Sequence, residues 1–405
     1  MAHVLIAGGG IGGLSAALAC ARAGARVSLF ERAPAFAEFG AGIQLGPNVM
    51  RVLHSWGLKP ALDAVAAFPD RLQVCCATGG GELGSLRLGA DAVRRYGAPY
   101  ATIRRVDLHQ ALLQAVRSHD DVVLHLGNAV AGVRQDGTTV TVQLSDGQTA
   151  SADLLVAADG GWSVLRQQLL HDGTPQPTGH LAYRAMVLQS DLPPKLRSQR
   201  VTAWLGPKMH VVHYPVACGQ WLNVVAIVHG QVLGDMSHWD HSANAQDVQR
   251  AMADTCPVLR NLIHAIEAWR LWPLSIRPPM QGAHEHAKGR VAFLGDAAHP
   301  MVPYLAQGAA MAIEDAATLA QVLLGGGALG ADGTAAVEEL LHAYTSARWP
   351  RNAHVQARAI RNGEIFHATG PVRWGRDAAM RLLGERLLDV PWLYAGGPLP
   401  VATNR

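Results

Sequence analysis

The stretch "HVLIAGGGIGGLSAALACARAGARVSLFERA", His3 to Ala33, sets an apolar strand, Val4 to Ala7, ahead of Gly8, Gly10 and Gly13 at GxGxxG spacing. An Ala- and Leu-rich helical run follows and closes at Gly24, and a second strand, Val27 to Phe30, ends in Glu31. In such a unit Gly8 permits the tight turn, Gly10 lets the backbone approach a pyrophosphate, and Gly13 lets helix and strand pack closely. The helix N-terminus then faces the phosphates. Glu31, about 20 residues on, is placed to accept hydrogen bonds from an adenosine ribose. Strand, helix, strand and acid in this order predict a dinucleotide-binding βαβ unit.

The chain carries its own control. In "VCCATGGGELGSLRLG" Gly79, Gly81 and Gly84 match the same spacing, but Ser85 to Leu88 alternate like a strand. Without a helix N-terminus there is no anion site, so this second match reads as a hairpin turn. One nucleotide fold is expected, not two.

Composition narrows the class. At 405 residues the chain is long enough for two domains, and 49% apolar with 16% charged residues is a globular balance. The formal charge of +3 comes from 34 Lys and Arg against 31 Asp and Glu, with the bases scattered, which argues against a nucleic-acid partner. Five cysteines without CxxC spacing fit a reducing cytoplasm. The N-terminus lacks a basic n-region, and no run of about 18 uncharged apolar residues occurs, so no stable membrane association is expected.

Further along, "EFGAGIQLGPNVMRVLHSWGL" reads as a loop leading into a helix, Pro47 to Trp56, with Gly40, Gly42 and Gly46 allowing close backbone approach to a ligand. A helix begins near Val106, with Asp107 in its first turn and Arg104 and Arg105 before it; Arg105 is either solvated or set on cofactor phosphates. Strands at Val122 to Leu126 and Thr139 to Leu144 precede an Asp146-Gly147 hairpin turn. In "ADLLVAADGGWSVLR" another buried strand opens into Asp159, Gly160 and Gly161, then a helix carrying Arg166. "GRVAFLGDAAHPMVPYLAQGAAMAIEDA" repeats the arrangement with Asp296, ahead of an Ala-rich helix entered at Gly308. Acids and glycines at the carboxyl ends of strands are where α/β sheets hold ligands.

From about Gly179 to Trp272 strand-like runs dominate, "HLAYRAMVLQ", "VTAWLGPKMHVVHYPV" and "WLNVVAIVHG", followed by a helix at Asn244 to Asp254. The fold class is therefore α/β: a Rossmann-like nucleotide-binding domain with an inserted, mostly antiparallel β-sheet substrate domain and a C-terminal helical segment. The expected boundaries are 1–75, 100–178 and 275–345 for the first, 76–99 and 179–274 for the second, and 346–405 for the helical segment. "LGGGALGADG" reads as a flexible connection.

The GxGxxG unit with Glu31, "AADGGWSVLR" and "GRVAFLGDAAHPMVPYLAQGAAMAIEDA", in this order, resemble the single-component flavoprotein aromatic hydroxylases of the para-hydroxybenzoate hydroxylase fold. Within that fold the likeness is to the salicylate hydroxylase, 3-hydroxybenzoate 6-hydroxylase and 6-hydroxynicotinate 3-monooxygenase group. The resemblance implies FAD as bound cofactor, NADH or NADPH as transient co-substrate, a small aromatic acid and O2 as substrates, and a flavin C4a-hydroperoxide as oxygen donor. It implies cofactor contacts from Gly8, Gly10, Gly13, Glu31, Arg32, Arg105, Asp159, Gly160, Asp296 and Gly308, with Asp296 on the ribityl chain. A homodimer is a further expectation.

Strand period puts His210, Val212 and Tyr214 of "MHVVHYPV" on one face and Val211, His213 and Pro215 on the other. His210 and Tyr214 match the family's active-site His and Tyr, which implies a base or hydrogen-bond partner for the substrate hydroxyl and an orienting phenol. Gln44, His299, Pro303, Tyr304 and Gln307 are the expected pocket residues, and Arg184 is a candidate for a substrate carboxylate. Gln44 and Tyr304 stand where the hydroxynicotinate enzymes carry histidines, and Pro303 where 3-hydroxybenzoate 6-hydroxylases carry a polar residue. The sequence alone equally admits a flavin oxidoreductase without oxygen insertion, or a hydroxylase of a nitrogen-heterocyclic or larger aromatic. No metal is expected: His238, Asp240 and His241, and likewise His284, Glu285 and His286, read as exposed polar loops without HExxH spacing.

Overall fold

Strands His3–Ala7 and Arg26–Glu31 pair in parallel, with Ala7 opposite Phe30, and the helix Ile11–Arg22 crosses between them. Val4, Leu5 and Ile6 are all buried, as a parallel strand covered on both faces requires. The computed structural model describes residues 1–36, 41–230, 241–325 and 333–399. Gly40, His238, Asp240 and most of the "LGGGALGADG" connection lie outside the described residues.

The contacts divide the chain into two units, each made of three segments. Unit 1 comprises Met1–Glu38, Leu108–Gln176 and Ile276–Ala359; unit 2 comprises Phe39–Asp107, Pro177–Ser275 and Ile360–Arg405. This moves the expected boundaries. Residues 39–75 and 100–107 fall in unit 2 because strand Gly42–Leu45 pairs with Ala101–Arg104, and strand Arg71–Cys76 joins the large sheet through Val201–Gly206. The helical segment does not begin at 346, since one helix runs Gly333–Phe366 and its two ends belong to different units.

Unit 1 is built on a six-stranded sheet, ordered Ala287–Lys288, Val291–Phe293, Leu154–Ala157, His3–Ala7, Arg26–Glu31, Val122–Leu126. All its neighbours pair in parallel except the first two strands. Helix Gly308–Gly325 packs on helix Ile11–Arg22, where a Cβ at Gly12 would lie 3.5 Å from Ala312 Cβ. Alanine-rich sequence suits both helices: it favours helix and keeps the two close together.

Unit 2 holds an eight-stranded sheet ordered His241–Ala243, Trp269–Ile276, Gln176–Leu188, Trp221–His229, Met209–Val216, Val201–Gly206, Arg71–Cys76, Glu82–Arg87. Val201–Gly206 runs parallel to Arg71–Cys76, whereas Gln176–Leu188 with Trp221–His229, Trp221–His229 with Met209–Val216, Met209–Val216 with Val201–Gly206, Arg71–Cys76 with Glu82–Arg87, and His241–Ala243 with Trp269–Ile276 are antiparallel. The second glycine match is the hairpin between Arg71–Cys76 and Glu82–Arg87, as its alternation predicts. One face buries Tyr183, Ala185, Val211, Val224 and Ala226 in a cluster with Val248, Leu259 and Ile263 from helices Ala245–Ala251 and Pro257–His264. Two helices thus stand where the sequence predicts one, Asn244 to Asp254.

Candidate functional site: a flavin cradle and a polar sheet face

Because the strands of unit 1 run in parallel, four motifs leave the sheet at the same edge: Gly8 after Ala7, Glu31 at its strand's end, Asp159 after Ala157 and Asp296 after Phe293. Gly8 has φ of 101°, and a Cβ there would lie 2.4 Å from Ala158 O, so only glycine fits. A Cβ at Gly13 would lie 1.8 Å from Gly8 O, which makes Gly13 a packing requirement. Gly10 differs: a Cβ there meets no protein atom within 4 Å, so the protein's own packing does not demand glycine. Gly10 is also the N-cap of helix Ile11–Arg22, which has no side-chain cap and no acid in its first turn. An uncapped helix end with open space at Gly10 fits a pyrophosphate.

The Glu31 carboxylate accepts Gly9 N at 2.7 Å and Ala33 N at 2.8 Å, which fixes it beside the glycine loop with lone pairs left for hydroxyl donors. His109 supports the loop from behind, its Nε2 lying 2.9 Å from Gly9 O. Asp159 accepts Leu165 N at 3.3 Å through Oδ2, while its buried Oδ1 has no partner among the described residues. Burial raises its pKa. Gly160 has φ of 86°, and Ser163 caps the following helix by accepting Arg166 N. The Arg166 guanidinium reaches Asp172, Glu285 and the carbonyls of Ala297 and Ala298, tying this segment to the loop that carries Asp296. Asp296 is exposed, and a Cβ at Gly308 would lie 4.0 Å from its Oδ1. Arg32 is exposed at the end of its strand.

His299 requires a correction. It is fully buried, and its Nε2 lies 2.6 Å from Asp315 Oδ2, so the ring is directed into the protein rather than lining a pocket. Asp315 also takes Gly295 N at 3.1 Å, Arg348 Nε at 2.7 Å and Asn352 Nδ2 at 2.9 Å. Burial alone would raise this carboxyl, but the charges of His299 and Arg348 outweigh it and hold the pKa far below the usual carboxylate range. Glu314 beside it binds Arg348 and Arg351. The network anchors the loop presenting Asp296, so His299 acts as a positioning residue. The sequence signal was available: Glu314 and Asp315 are an acidic pair inside an otherwise apolar helix.

His286 is corrected in the same way. Far from an exposed loop, it is fully buried, with Nε2 2.8 Å from Asn352 Nδ2, and burial lowers its pKa to about 3. Of the remaining expected pocket residues in unit 1, Pro303 is exposed while Tyr304 and Gln307 are buried; burial pushes the Tyr304 phenol well up.

Unit 2 holds Gln44, Arg105, His210 and Tyr214. Arg105 opens helix Arg105–Arg117 with its N–H on Ala41 O at 2.8 Å, whereas Arg104 pairs with Asp107. Antiparallel register puts His210 opposite Ile227, Val212 opposite Val225 and Tyr214 opposite Asn223; Arg184 lies opposite Val225 on the next strand. Residues directly opposite share a face. His210, Tyr214, Asn223 and Arg184 therefore occupy the sheet face away from the helix-covered core.

Tyr214 is buried and bonded to Gln44, whose Oε1 also accepts the Tyr100 hydroxyl at 2.6 Å; burial keeps the Tyr214 phenol protonated. Asn223 Oδ1 accepts Gly42 N at 2.7 Å, and its buried Nδ2 has no partner among the described residues. Arg184 stacks on Trp272 at 4.6 Å. His210 is buried, with Nδ1 2.7 Å from His367 Nε2, and burial followed by the charge of His180 lowers its pKa to about 3. Sequence reasoning missed Asn223 and His367. Asn223 was legible in principle as a polar residue on the alternating run "WLNVVAIVHG".

Residues 1–359 match the FAD binding domain family. The chain belongs to that family. It is 36% identical over 395 residues to a 3-hydroxybenzoate 6-hydroxylase from Klebsiella oxytoca, covering 97% of this chain and 96% of the relative. It is 38% identical over 404 residues to the 3-amino-4-hydroxybenzoate 2-monooxygenase PtnB3 from Streptomyces platensis, covering 99% and 98%. A solved salicylate hydroxylase in a substrate complex matches with a TM-score of 0.81 at 25% identity, over 97% of this chain and 95% of that one. The resemblance drawn from the three motifs is thereby borne out, and FAD is the cofactor. Among the described residues, no helix is long and apolar enough to cross a membrane.

Proposed function

We propose that this protein is an NAD(P)H- and FAD-dependent monooxygenase that hydroxylates a small phenolic acid of the hydroxybenzoate class. The observation that carries the substrate class is the sheet face of unit 2, where His210, Tyr214, Asn223 and Arg184 stand among apolar rows. Such a face suits a flat ring with one hydroxyl and one carboxylate. Two relatives named for hydroxybenzoates, at 36% and 38% identity over nearly the whole chain, support the same class.

When bound, FAD reduced by NAD(P)H activates O2 and supplies one oxygen atom to the ring. The chain's own residues do the rest. Gly10 and the start of helix Ile11–Arg22 hold the pyrophosphate, Glu31 the ribose and Asp296 the ribityl hydroxyls. Arg184 and Asn223 Nδ2 take the substrate carboxylate, and Tyr214, held by Gln44, orients the ring.

His210 receives the substrate's hydroxyl proton, because a phenolate ring is far more reactive towards an electrophilic oxygen than a phenol. At a pKa of about 3 the ring cannot store that proton as imidazolium at neutral pH. Its bonding supplies the alternative: Nδ1 lies 2.7 Å from His367 Nε2, and His367 Nδ1 lies 3.0 Å from Nε2 of the exposed His229. Uptake at His210 Nε2 is matched by release from Nδ1 to His367, and onward to His229 and water, with no charge left in the interior.

The test is a screen of NADH and NADPH oxidation with 3-hydroxybenzoate, salicylate, 3-amino-4-hydroxybenzoate and 6-hydroxynicotinate. Oxygen uptake, peroxide and product mass are measured together. A hydroxybenzoate-class acid is expected to give a product heavier by one oxygen, or a decarboxylated one. Peroxide as the sole product with every acid would favour an oxidoreductase that inserts no oxygen.

A further inference from the structure

Four histidines converge in unit 2 from distant parts of the chain. His180 and His229 face each other across neighbouring strands, with ring centroids 4.5 Å apart. His367, just past helix Gly333–Phe366, lies against both, at 4.9 Å from His180 and 5.0 Å from His229. His210 sits behind His367. The backbone holds the group from two sides, since Lys208 N donates to His367 O at 3.1 Å and Lys208 O accepts His229 N at 3.3 Å.

One ring nitrogen from each of His180, His229 and His367 lies within 4.8 Å of the others. His229 Nε2 and His367 Nδ1 are 3.0 Å apart. Two ligands of a tetrahedral zinc, at bonds of about 2.0–2.1 Å, stand about 3.3 Å apart, so these two nitrogens are close to ligand spacing already. Metal-bound imidazoles characteristically place their other ring nitrogen in a hydrogen bond that fixes tautomer and orientation. His367 meets that condition, with Nε2 on His210 Nδ1. The exposed edge of His229 gives an entry path.

Unit 1 contains a second group of the same kind, His286, His299 and Asp315, and it makes the contrast useful. There the shared carboxylate already holds the Arg348 guanidinium at 2.7 Å, so a fixed cation occupies the position a metal would need.

We propose that His180, His229 and His367 form a binding site for a first-row divalent cation of the Zn2+ type. Imidazole nitrogens as the sole protein ligands suit Zn2+, Cu2+ or Ni2+ and disfavour Mg2+ or Ca2+. The cation takes the lone pairs of neutral imidazoles, each ring keeping one N–H on its other nitrogen as the proton shared by His229 and His367 shifts along the chain to His210, so binding is lost where the rings protonate in acid. A water or a small anion completes the coordination. Resting on the proton path proposed above, the bound cation also closes the outlet of His210 and inhibits turnover.

The experiment uses the FAD-loaded full chain without a purification tag. Equilibrium dialysis against Zn2+ with metal analysis should show about one tightly held ion per chain, with Mg2+ not competing. His229→Ala and His180→Gln should each weaken retention by at least about tenfold, whereas His264→Ala, an exposed histidine elsewhere in unit 2, should not. Circular dichroism and flavin absorbance verify that each variant is folded. No retained zinc in the unsubstituted protein, or equal retention in all variants, would overturn the site. Zinc should inhibit hydroxylation by the unsubstituted protein; retention without inhibition would keep the site and remove His229 from the proton path.

Discussion

Each unit holds a cluster of histidines, fully buried in unit 1 and partly exposed in unit 2, and the two clusters handle charge in opposite ways. In unit 1, His286 and His299 sit with Asp315, Glu314, Arg348 and Asn352, and Asp315 is satisfied by four donors. In unit 2, His210 and His229 each bond His367 and the His180 ring packs against His229 and His367, and desolvation lowers all four. A ring beside a fixed anion is held in place and lends rigidity. Rings whose pKa desolvation lowers stay neutral near pH 7. The first arrangement suits presenting a loop, the second exchange with solvent.

The largest expected effect breaks the first cluster. Arg348→Met leaves the buried Asp315 and Glu314 short of a guanidinium, and loss of one partner from a buried ionic group costs about 3–5 kcal/mol. Thermal or urea melts should show it, together with loss of FAD, because Gly295 and Asp296 depend on the same anchor. A melting curve unchanged by this substitution would mean that the network carries no stability.

The matching change in the second cluster should separate stability from activity. His210→Gln removes a neutral hydrogen bond and should cost only about 1 kcal/mol in urea melts, while coupled hydroxylation falls about 100-fold or more with FAD retained. Equal kcat in the variant would exclude His210 from proton transfer.

Acid sharpens the contrast further. Burial lowers His213 to about 4 and His286 to about 3, below the unfolded value near 6.5. The unfolded chain therefore binds more protons below pH 6.5, and stability falls as pH drops from about 7 towards 4. Each fully buried ring contributes up to about 1.4 kcal/mol per pH unit. Asp315 has the opposite history: its depressed pKa gives stability that persists until pH falls below about 4. Urea melts at pH 7, 6 and 5 should show the decline, and His213→Phe should flatten it. A slope unaltered by that change would place the titration elsewhere.

The smallest stability effect is expected at the glycine loop. Gly10→Ala meets no protein atom within 4 Å, so the melting temperature of the FAD-free protein should barely change while FAD affinity drops. Gly13→Ala, 1.8 Å from Gly8 O, should destabilise the protein outright. Two alanines of equal apparent severity would contradict the cradle.

Local pattern explains what the sequence made legible. The βαβ unit, the hairpin at Gly79 to Gly84 and the helix start at Gly308 each depend on residues within a few positions, so period and spacing reveal them. His210 and Tyr214 were likewise readable as one face of a strand. His367 was not, because it meets His210 across 157 positions and only the sheet's register brings its partners together. His299 was misread for a related reason: Asp315, a turn and a helix later, decides which way the ring points. The boundary expected at 345/346 falls inside helix Gly333–Phe366, whose course local composition does not mark.

That uninterrupted helix also orders events during synthesis. Asp315 and Glu314 leave the ribosome more than thirty positions before Arg348, as their sequence separations of 33 and 34 record. Until that arginine emerges, the loop bearing Asp296 is held by Arg166 but lacks the buried anchor at Asp315. The nucleotide-binding half therefore matures late, despite beginning at the first strand of the chain.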